Sequence, residues 1–209
     1  MIFGKALLVV AVMLMSVTGV QAQPYCSTRT FTIADGLGAN TISDFAQAGN
    51  GLLWVSTWNG LCSYDGYSFR VFREQHQEKQ VLSTNRINLI EPNTQNDLWC
   101  ITFDSNFYLF DTDKCQFISV DKLIRETYKD EYKAHNVFSL KNGYTWMIGK
   151  GNVSFRIDER KIKDGNGIEL FDSKKYNNNI KINKIVLDEN GQEWLFMTSG
   201  TYLYSSKVY

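Results

Sequence analysis

Trp58, Asn59 and Arg86 are the residues of this chain whose types best fit ligand binding. Trp58 lies in the turn Thr57-Trp58-Asn59-Gly60. An indole offers a broad apolar face for the C–H face of a sugar ring, and Asn59 and Arg86 could supply hydrogen bonds beside it. The structural alternative is that Trp58 packs on a neighbouring element. Residues for catalysis are harder to assemble. The two histidines, His76 and His135, stand far apart. No Gly-x-Ser-x-Gly elbow, His-Glu-x-x-His pair or phosphate loop occurs. Glycoside hydrolysis needs two carboxylates flanking a cleft. Asp44, Asp65, Asp104 and Glu193 are available, but nothing in the sequence brings two of them together. Asp164-Gly165-Asn166-Gly167 begins like a calcium loop but lacks the later ligands and the closing glutamate, so it reads as a turn. The expectation is binding without catalysis, with no metal, no cofactor and no catalytic residue.

The elements that would position such a site recur. Trp54, Trp99, Trp146 and Trp194 are separated by 45, 47 and 48 residues. A step in the forties marks a chain that repeats one supersecondary unit. Upstream of each tryptophan an asparagine precedes an apolar residue by two: Asn40-Thr41-Ile42, Asn85-Arg86-Ile87, Asn136-Val137-Phe138 and Asn183-Lys184-Ile185. Then comes a turn pair, Asn50-Gly51, Asn96-Asp97, Asn142-Gly143 or Asn190-Gly191. Such pairs suit two-residue hairpins, in which both central positions hold positive φ. The tryptophan follows in a short apolar or β-branched run. A second turn and two more strand-like runs complete the first unit.

Four short antiparallel strands per unit fit a β-propeller blade, and stacked blades cover one another's faces. The fold expected is all-β: four four-stranded antiparallel repeats, part of a larger propeller. The blades fall at about 34–73, 80–120, 134–172 and 180–209. The four repeated tryptophans then have a structural role as large apolar area between blades. Residues 28–33 resemble the closing strand Phe69-Arg70-Val71-Phe72 and could complete the last blade, hiding both chain ends. A small closed ring and an open arc with a tendency to associate both stay open. Asp121–Lys133 is the best helical candidate, though short and charged, and the stretch Ile124–Glu131 reads as a solvated loop.

Composition sets the outer limits. The 209 residues are 44% hydrophobic and 21% charged with zero formal net charge, a globular balance without the basic run of a nucleic-acid footprint. Residues 1–22 have the layout of a secretory signal peptide: Lys5, an apolar run from Ala6 to Val20, and small residues at Val20-Gln21-Ala22. The mature chain, 23–209, would be a partial propeller exported to the periplasm. Export permits disulfides. On the strand assignment, however, Cys100 and Cys115 are separated by roughly 10 Å of sheet, and a bridge needs Cα atoms within about 7 Å. No Cys100–Cys115 bridge is expected, and Cys26, Cys62, Cys100 and Cys115 read as small buried hydrophobes.

The first repeat carries a family resemblance. The run Asp35-Gly36-Leu37-Gly38-Ala39-Asn40-Thr41-Ile42, then Gly49-Asn50-Gly51-Leu52-Leu53-Trp54-Val55-Ser56-Thr57, then Asn59-Gly60-Leu61-Cys62-Ser63-Tyr64-Asp65-Gly66, resembles the two-component regulator propeller repeat. Gly49 stands where that family usually has aspartate, and Ser56 where it has glycine. The third and fourth units lack the Gly-Leu and Tyr-Asp-Gly elements. The family forms the periplasmic sensor region of hybrid two-component receptors, anchored in the inner membrane, which commonly sense glycan fragments. The resemblance implies a sensor propeller with an oligosaccharide ligand, and here a receptor cut short before its membrane, kinase and DNA-binding parts. Its partners would be the remaining blades, another receptor polypeptide or a second copy, with no nucleic acid bound by this segment. A non-catalytic interaction scaffold, or a non-functional receptor fragment, is the alternative.

Overall fold

The computed structural model describes residues 27–74, 81–151, 153–172 and 181–204. The expected signal peptide, Cys26 and His76 lie outside them. Two units are distinguished, Met1–Thr30 and Phe31–Tyr209. In the first, residues 27–30 form no strand.

The second unit is a series of antiparallel meanders. The first sheet comprises β1 (Ile42–Gln47), β2 (Leu53–Thr57), β3 (Gly60–Tyr64) and β4 (Phe69–Phe72). The second comprises β5 (Ile87–Pro92), β6 (Leu98–Thr102), β7 (Phe107–Asp111) and β8 (Gln116–Ser119). The third is β9 (Ala134–Ser139), β10 (Tyr144–Gly149), β11 (Val153–Asp158) and β12 (Ile168–Asp172). The fourth, among the described residues, has three strands: β13 (Ile182–Leu187), β14 (Glu193–Met197) and β15 (Gly200–Tyr204). The expected closing strand at 28–33 is not one. Residues 28–32 carry no strand, and Ile33–Asp35 is a 3-10 turn capped by Thr32.

Each tryptophan of the series occupies the same register on the second strand of its sheet. Trp54 faces Ala46, Trp99 faces Glu91, Trp146 faces Phe138 and Trp194 faces Val186, in every case one pair in from the hairpin. The asparagine pattern does not keep that register. Asn40 and Asn85 both precede their strands by two residues, whereas Asn136 and Asn183 lie inside β9 and β13. The hairpins also differ from the expected two-residue form. Ala48, Asn93, Leu140 and Asp188 each donate a backbone N–H across a three-residue loop, to the carbonyls of Leu52, Asp97, Tyr144 and Gln192. Only the third loop residue is left-handed: Gly51 (φ 86°), Asn96 (64°), Gly143 (82°) and Gly191 (76°). A type I turn followed by one left-handed residue joins twisted strands without splaying them.

Successive sheets bury one apolar cluster between each pair. Trp54, Leu61, Ile90, Leu98 and Phe110 fill the first contact. Trp99, Phe107, Val137, Met147 and Phe155 fill the second, and Trp146, Ile185, Leu195 and Met197 the third. A buried indole removes roughly 200 Å² from water, worth on the order of 5 kcal/mol before entropy is counted. The best helical candidate, Asp121–Lys133, forms a helix over Val120–Tyr128 (α1), capped by the Ser119 hydroxyl, which accepts from the Lys122 N–H at 3.2 Å. Lys122, Arg125 and Glu126 face solvent while Val120 and Ile124 are fully buried beside Phe155 and Ile162, so Ile124 through Tyr128 is not a solvated loop.

Polar bolts complete the two later contacts. Trp99 Nε1 donates to Thr145 Oγ1 at 2.8 Å, and Thr145 is the residue before Trp146. Trp146 Nε1 donates to Glu193 Oε2 at 2.8 Å, and Glu193 is the residue before Trp194. The matching position for Trp54 is Leu98, which has no side-chain acceptor, and the Trp54 indole N–H is buried without a partner among the described residues. Trp194 turns its N–H to Asp188 in its own hairpin, at 2.9 Å. Glu193 also takes hydrogen bonds from Arg156 Nη2 (2.7 Å) and Asn142 Nδ2 (2.8 Å). Burial works against the Arg156 charge, but the Glu193 bonds outweigh it and hold the guanidinium above its usual range. Glu159, also buried, accepts from Thr145 Oγ1 (2.5 Å), Ser139 Oγ (2.9 Å), and the backbone N–H and hydroxyl of Thr94 on the second sheet.

Cys62 and Cys100 are buried and free, and burial pushes both thiols up. Cys115 departs from the expected burial. It is exposed in the turn before β8, at φ 53°.

Candidate ligand-binding rim

The turn after the second strand and the link into the first strand meet in the same way in every sheet. Trp58 N–H donates to Thr41 O (3.2 Å), Phe103 N–H to Arg86 O (2.9 Å), Lys150 N–H to Lys133 O (2.8 Å) and Thr198 N–H to Lys181 O (3.0 Å). Two residues beyond each acceptor the first strand bulges. The pairing skips Ser43, Asn88, His135 and Asn183, and all four are exposed. A bulge leaves one residue unpaired and re-aims its side chain. At this end, therefore, each sheet presents one turn side chain and one bulge side chain. The first strands of neighbouring sheets also approach one another, β1 against β5 and β5 against β9.

The rim is continuous from the first sheet to the third. Gly60 N–H donates to Asn85 O at 2.9 Å, and Ala134 N–H to Ser105 O at 2.8 Å. Gly60 has φ 111°, and a Cβ there would lie 2.6 Å from Phe72 O, so only glycine fits the turn that carries Trp58. Arg86 bridges the first two sheets. Its guanidinium carbon lies 4.8 Å from the Trp58 ring centroid, while its carbonyl holds the turn bearing Phe103. Trp58 is 46% exposed and Phe103 62%. Lys150 Nζ donates to Ser105 Oγ at 2.9 Å, and Lys133 Nζ to Asn106 Oδ1 at 2.5 Å.

Trp58 and Arg86 are thus brought together at the rim. Asn59 is beside them but differently employed: its Nδ2 donates to Gly38 O at 3.1 Å, bracing the segment before β1. Trp54, Trp99, Trp146 and Trp194 are not at the rim but within the sheets. The carboxylates considered for hydrolysis are scattered. Asp44 accepts from Ile90 N–H (3.0 Å) and Asp65 caps its own turn through the N–H groups of Tyr67 and Ser68. Glu193 is buried between sheets. Asp104 is at the rim. Burial raises its pKa, but the hydroxyl of Thr102 and other hydrogen bonds outweigh this and hold the carboxyl below its usual range. Phe103, Lys133, Lys150, Ser43 and Asn88 were not singled out in the sequence, and His135 and Asn183 were named there without a place at a rim. One signal was available for Phe103: Thr102-Phe103 aligns with Thr57-Trp58 once the tryptophans are superposed.

Beside the rim is a cleft of about 800 Å³ lined by Ser83, Asn106, Tyr108, Asp121 and Arg125, among others. Asp121 Oδ2 accepts from Phe107 N–H at 2.7 Å, and its Oδ1 has no partner among the described residues. Burial dominates, and the Asp121 carboxyl is pushed up to about 6.

Comparison with known proteins places the fold. No family model matches the chain. Over 55 residues, 26% of the chain, it is 34% identical to histidine kinase P4 of Formosa agariphila, of which those residues make up 4%. Among solved structures it is similar to the extracellular domain of BT4673 from B. thetaiotaomicron, assigned to a hybrid two-component system. That match has 22% identity and TM-score 0.56, covering 82% of this chain and 24% of that one. It is similar also to PorZ, a surface component of the type-IX secretion system of Porphyromonas gingivalis (15% identity, TM-score 0.52, covering 77% and 24%). A third likeness is to the C-terminal WD40 domain of Sif2 (14% identity, TM-score 0.52, covering 80% and 46%). The chain therefore spans a small part of the kinase it matches and about a quarter of the first two structures. The fold is that of a β-propeller, and its sheets are blades. The similarities to a histidine kinase and to the extracellular domain of a two-component system agree with the resemblance carried by the first repeat.

Proposed function

We propose that this chain is sensor propeller of an exported two-component receptor, and that its ligand is a glycan fragment met in the periplasm. The observation that carries this reading is the rim, where Trp58 stays 46% exposed with Arg86 stacked on it although four other tryptophans serve the blades. Loops at the end of a rigid scaffold are where propellers and similar folds commonly place recognition. Binding signals only through differential affinity: the ligand must favour one arrangement of the receptor over another. The output domains would belong to other parts of the receptor or to a second polypeptide.

The test is made in the host. Codons 31–204 are deleted in frame, and transcription is profiled on a panel of single polysaccharides. Loss of induction on one polysaccharide supports the reading. Unchanged induction on all of them contradicts it.

A second reading, an interaction scaffold, is favoured by one observation. Phe196 and Leu203, on the face of the fourth sheet turned from the third, are 41% and 46% exposed. A further blade, another receptor polypeptide or a second copy would cover that face.

A further inference from the structure

We infer that the rim of the first three blades binds an acidic oligosaccharide, one bearing uronate carboxylates or sulfate esters, with Trp58 and Phe103 as stacking faces and Arg86, Lys150 and Lys133 as the anion contacts. This rests on the sensor reading and narrows it to a ligand class and a set of residues.

The turn side chain changes in character around the rim: Trp58, Phe103, then Lys150. The first two are aromatic and exposed, which suits the apolar faces of successive sugar rings. Aromatic faces alone would take neutral sugars. Here, however, a cation accompanies each step. Arg86 lies against Trp58 and directly behind the Phe103 turn. Lys133 and Lys150 are joined through the bond from Lys150 N–H to Lys133 O. All three are exposed.

The hydrogen-bond inventory favours an anion. A guanidinium stacked on an indole is held in plane and keeps its fork of N–H groups for a carboxylate or sulfate. An ammonium has three N–H donors. Lys150 directs one to Ser105 and Lys133 one to Asn106. Those contacts point the ammonium groups along the rim and leave donor capacity for a ligand. Asp104 is the one carboxylate among these turn residues, and it is engaged by Thr102 Oγ1 (2.6 Å) and Asn106 Nδ2 (3.0 Å). Asp121, behind the rim, also interacts with Lys133, and the three cations still outnumber these two carboxylates on a chain of zero net charge. Ser43, Asn88 and His135 add exposed polar groups at the bulges for ring hydroxyls.

Calorimetry on the full chain tests this with trigalacturonate, a chondroitin sulfate tetrasaccharide, xylotetraose and maltotetraose, each at low and high salt. At least one acidic probe should bind, weakening as salt rises, and the neutral probes should not match it. Charge-assisted hydrogen bonds are worth about 1.5–3 kcal/mol, so Arg86→Gln should weaken that binding by about 10- to 100-fold. Arg86→Lys, which keeps charge but loses the fork, should fall between. Trp58→Ala and Lys150→Gln should each weaken it severalfold. All four changes lie at exposed side chains, and an unchanged thermal transition separates lost binding from lost folding. The inference is overturned if neither acidic probe binds, if a neutral probe binds as tightly, or if binding is indifferent to both Trp58→Ala and Arg86→Gln. A neutral glycan bound at a Trp58-dependent site would defeat the acidic assignment and leave the sensor reading standing. Acidic binding in a strain whose induction is unaffected by the deletion would do the reverse.

Discussion

Trp146 and Glu193 are joined by a 2.8 Å hydrogen bond across the contact between the third and fourth blades. Glu193 directly precedes Trp194, just as Thr145, the acceptor for Trp99, directly precedes Trp146. In the third and fourth blades the residue before the tryptophan therefore supplies an acceptor for the indole of the preceding blade, whereas Leu98, at that position in the second, does not.

Glu193 gathers more than the indole. It is the carboxylate partner of Arg156, whose side chain is 8% exposed, and Arg156 also lies 3.4 Å from the Tyr144 ring centroid. Removing one member of a buried ion pair leaves the other uncompensated, at about 3–5 kcal/mol. Glu193→Ala should lose stability of that order in urea titrations. Glu193→Gln, which keeps hydrogen-bonding atoms but not the charge, should lose less.

Tryptophan-to-phenylalanine changes should rank by what each indole N–H does. Trp54→Phe removes a buried N–H that has no partner among the described residues, so only packing should be perturbed. Trp99→Phe and Trp146→Phe leave a buried acceptor short of a donor, which adds about 1–3 kcal/mol. Equilibrium unfolding of the three variants should place Trp54→Phe as the mildest. Equal losses at all three sites would contradict the acceptor rule.

Asp121 should make a distinct pH signature. Its carboxyl is pushed up to about 6 in the fold by burial, against about 3.9 in an unfolded chain. The folded state thus binds the extra proton between those values, and this group's contribution to stability falls as pH rises from 4 to 6. The shift corresponds to on the order of 2–3 kcal/mol. Asp121→Asn should abolish that component, so the stability difference between variant and parent should grow in the variant's favour across the window and then level off above it. A difference that is flat with pH would show that Asp121 does not titrate there.

The left-handed hairpin position gives a backbone test. A Cβ at Gly51 would meet nothing within 4 Å, so Gly51→Ala probes conformation alone. A non-glycine residue in that region costs about 1–2 kcal/mol. Asn96 already holds it at φ 64°, and Asn96→Gly should change thermal stability by a few tenths of a kcal/mol at most.

What the sequence made legible was what repeats within a strand. A tryptophan buried between blades must return at nearly the same step, so the four positions and their sheets could be read directly. Features set by register were less visible. Asn136 and Asn183 mimic Asn40 and Asn85 in spacing to an apolar residue, yet lie inside strands, because they stand 10 and 11 residues before their tryptophan rather than 14. Asn50-Gly51 is equally compatible with two- and three-residue loops, and the backbone bond from Ala48 to Leu52 selects the longer. The Arg156–Glu193 pair joins residues on different blades and looks, in sequence, like two surface charges. At the rim, Trp58 stood out as an extra tryptophan. Phe103 did not, because its equivalence to Trp58 shows only when the repeats are aligned on Trp54 and Trp99, and Arg86 gains its meaning from the ring it covers. At Val120–Tyr128 the charges made Ile124 onward look like a solvated loop, although Val120, Leu123, Ile124 and Tyr128 hold the helix to the core.

The most direct measurement is the solvent exchange of the tryptophan indole N–H protons, followed by nitrogen-15 NMR on the folded chain. Trp99 and Trp146, bonded across blade contacts, should exchange slowest, and Trp58 at the exposed rim fastest. If Trp99 and Trp146 exchange as rapidly as Trp58, the tryptophans do not bolt successive blades together and the rim built on that arrangement falls with them.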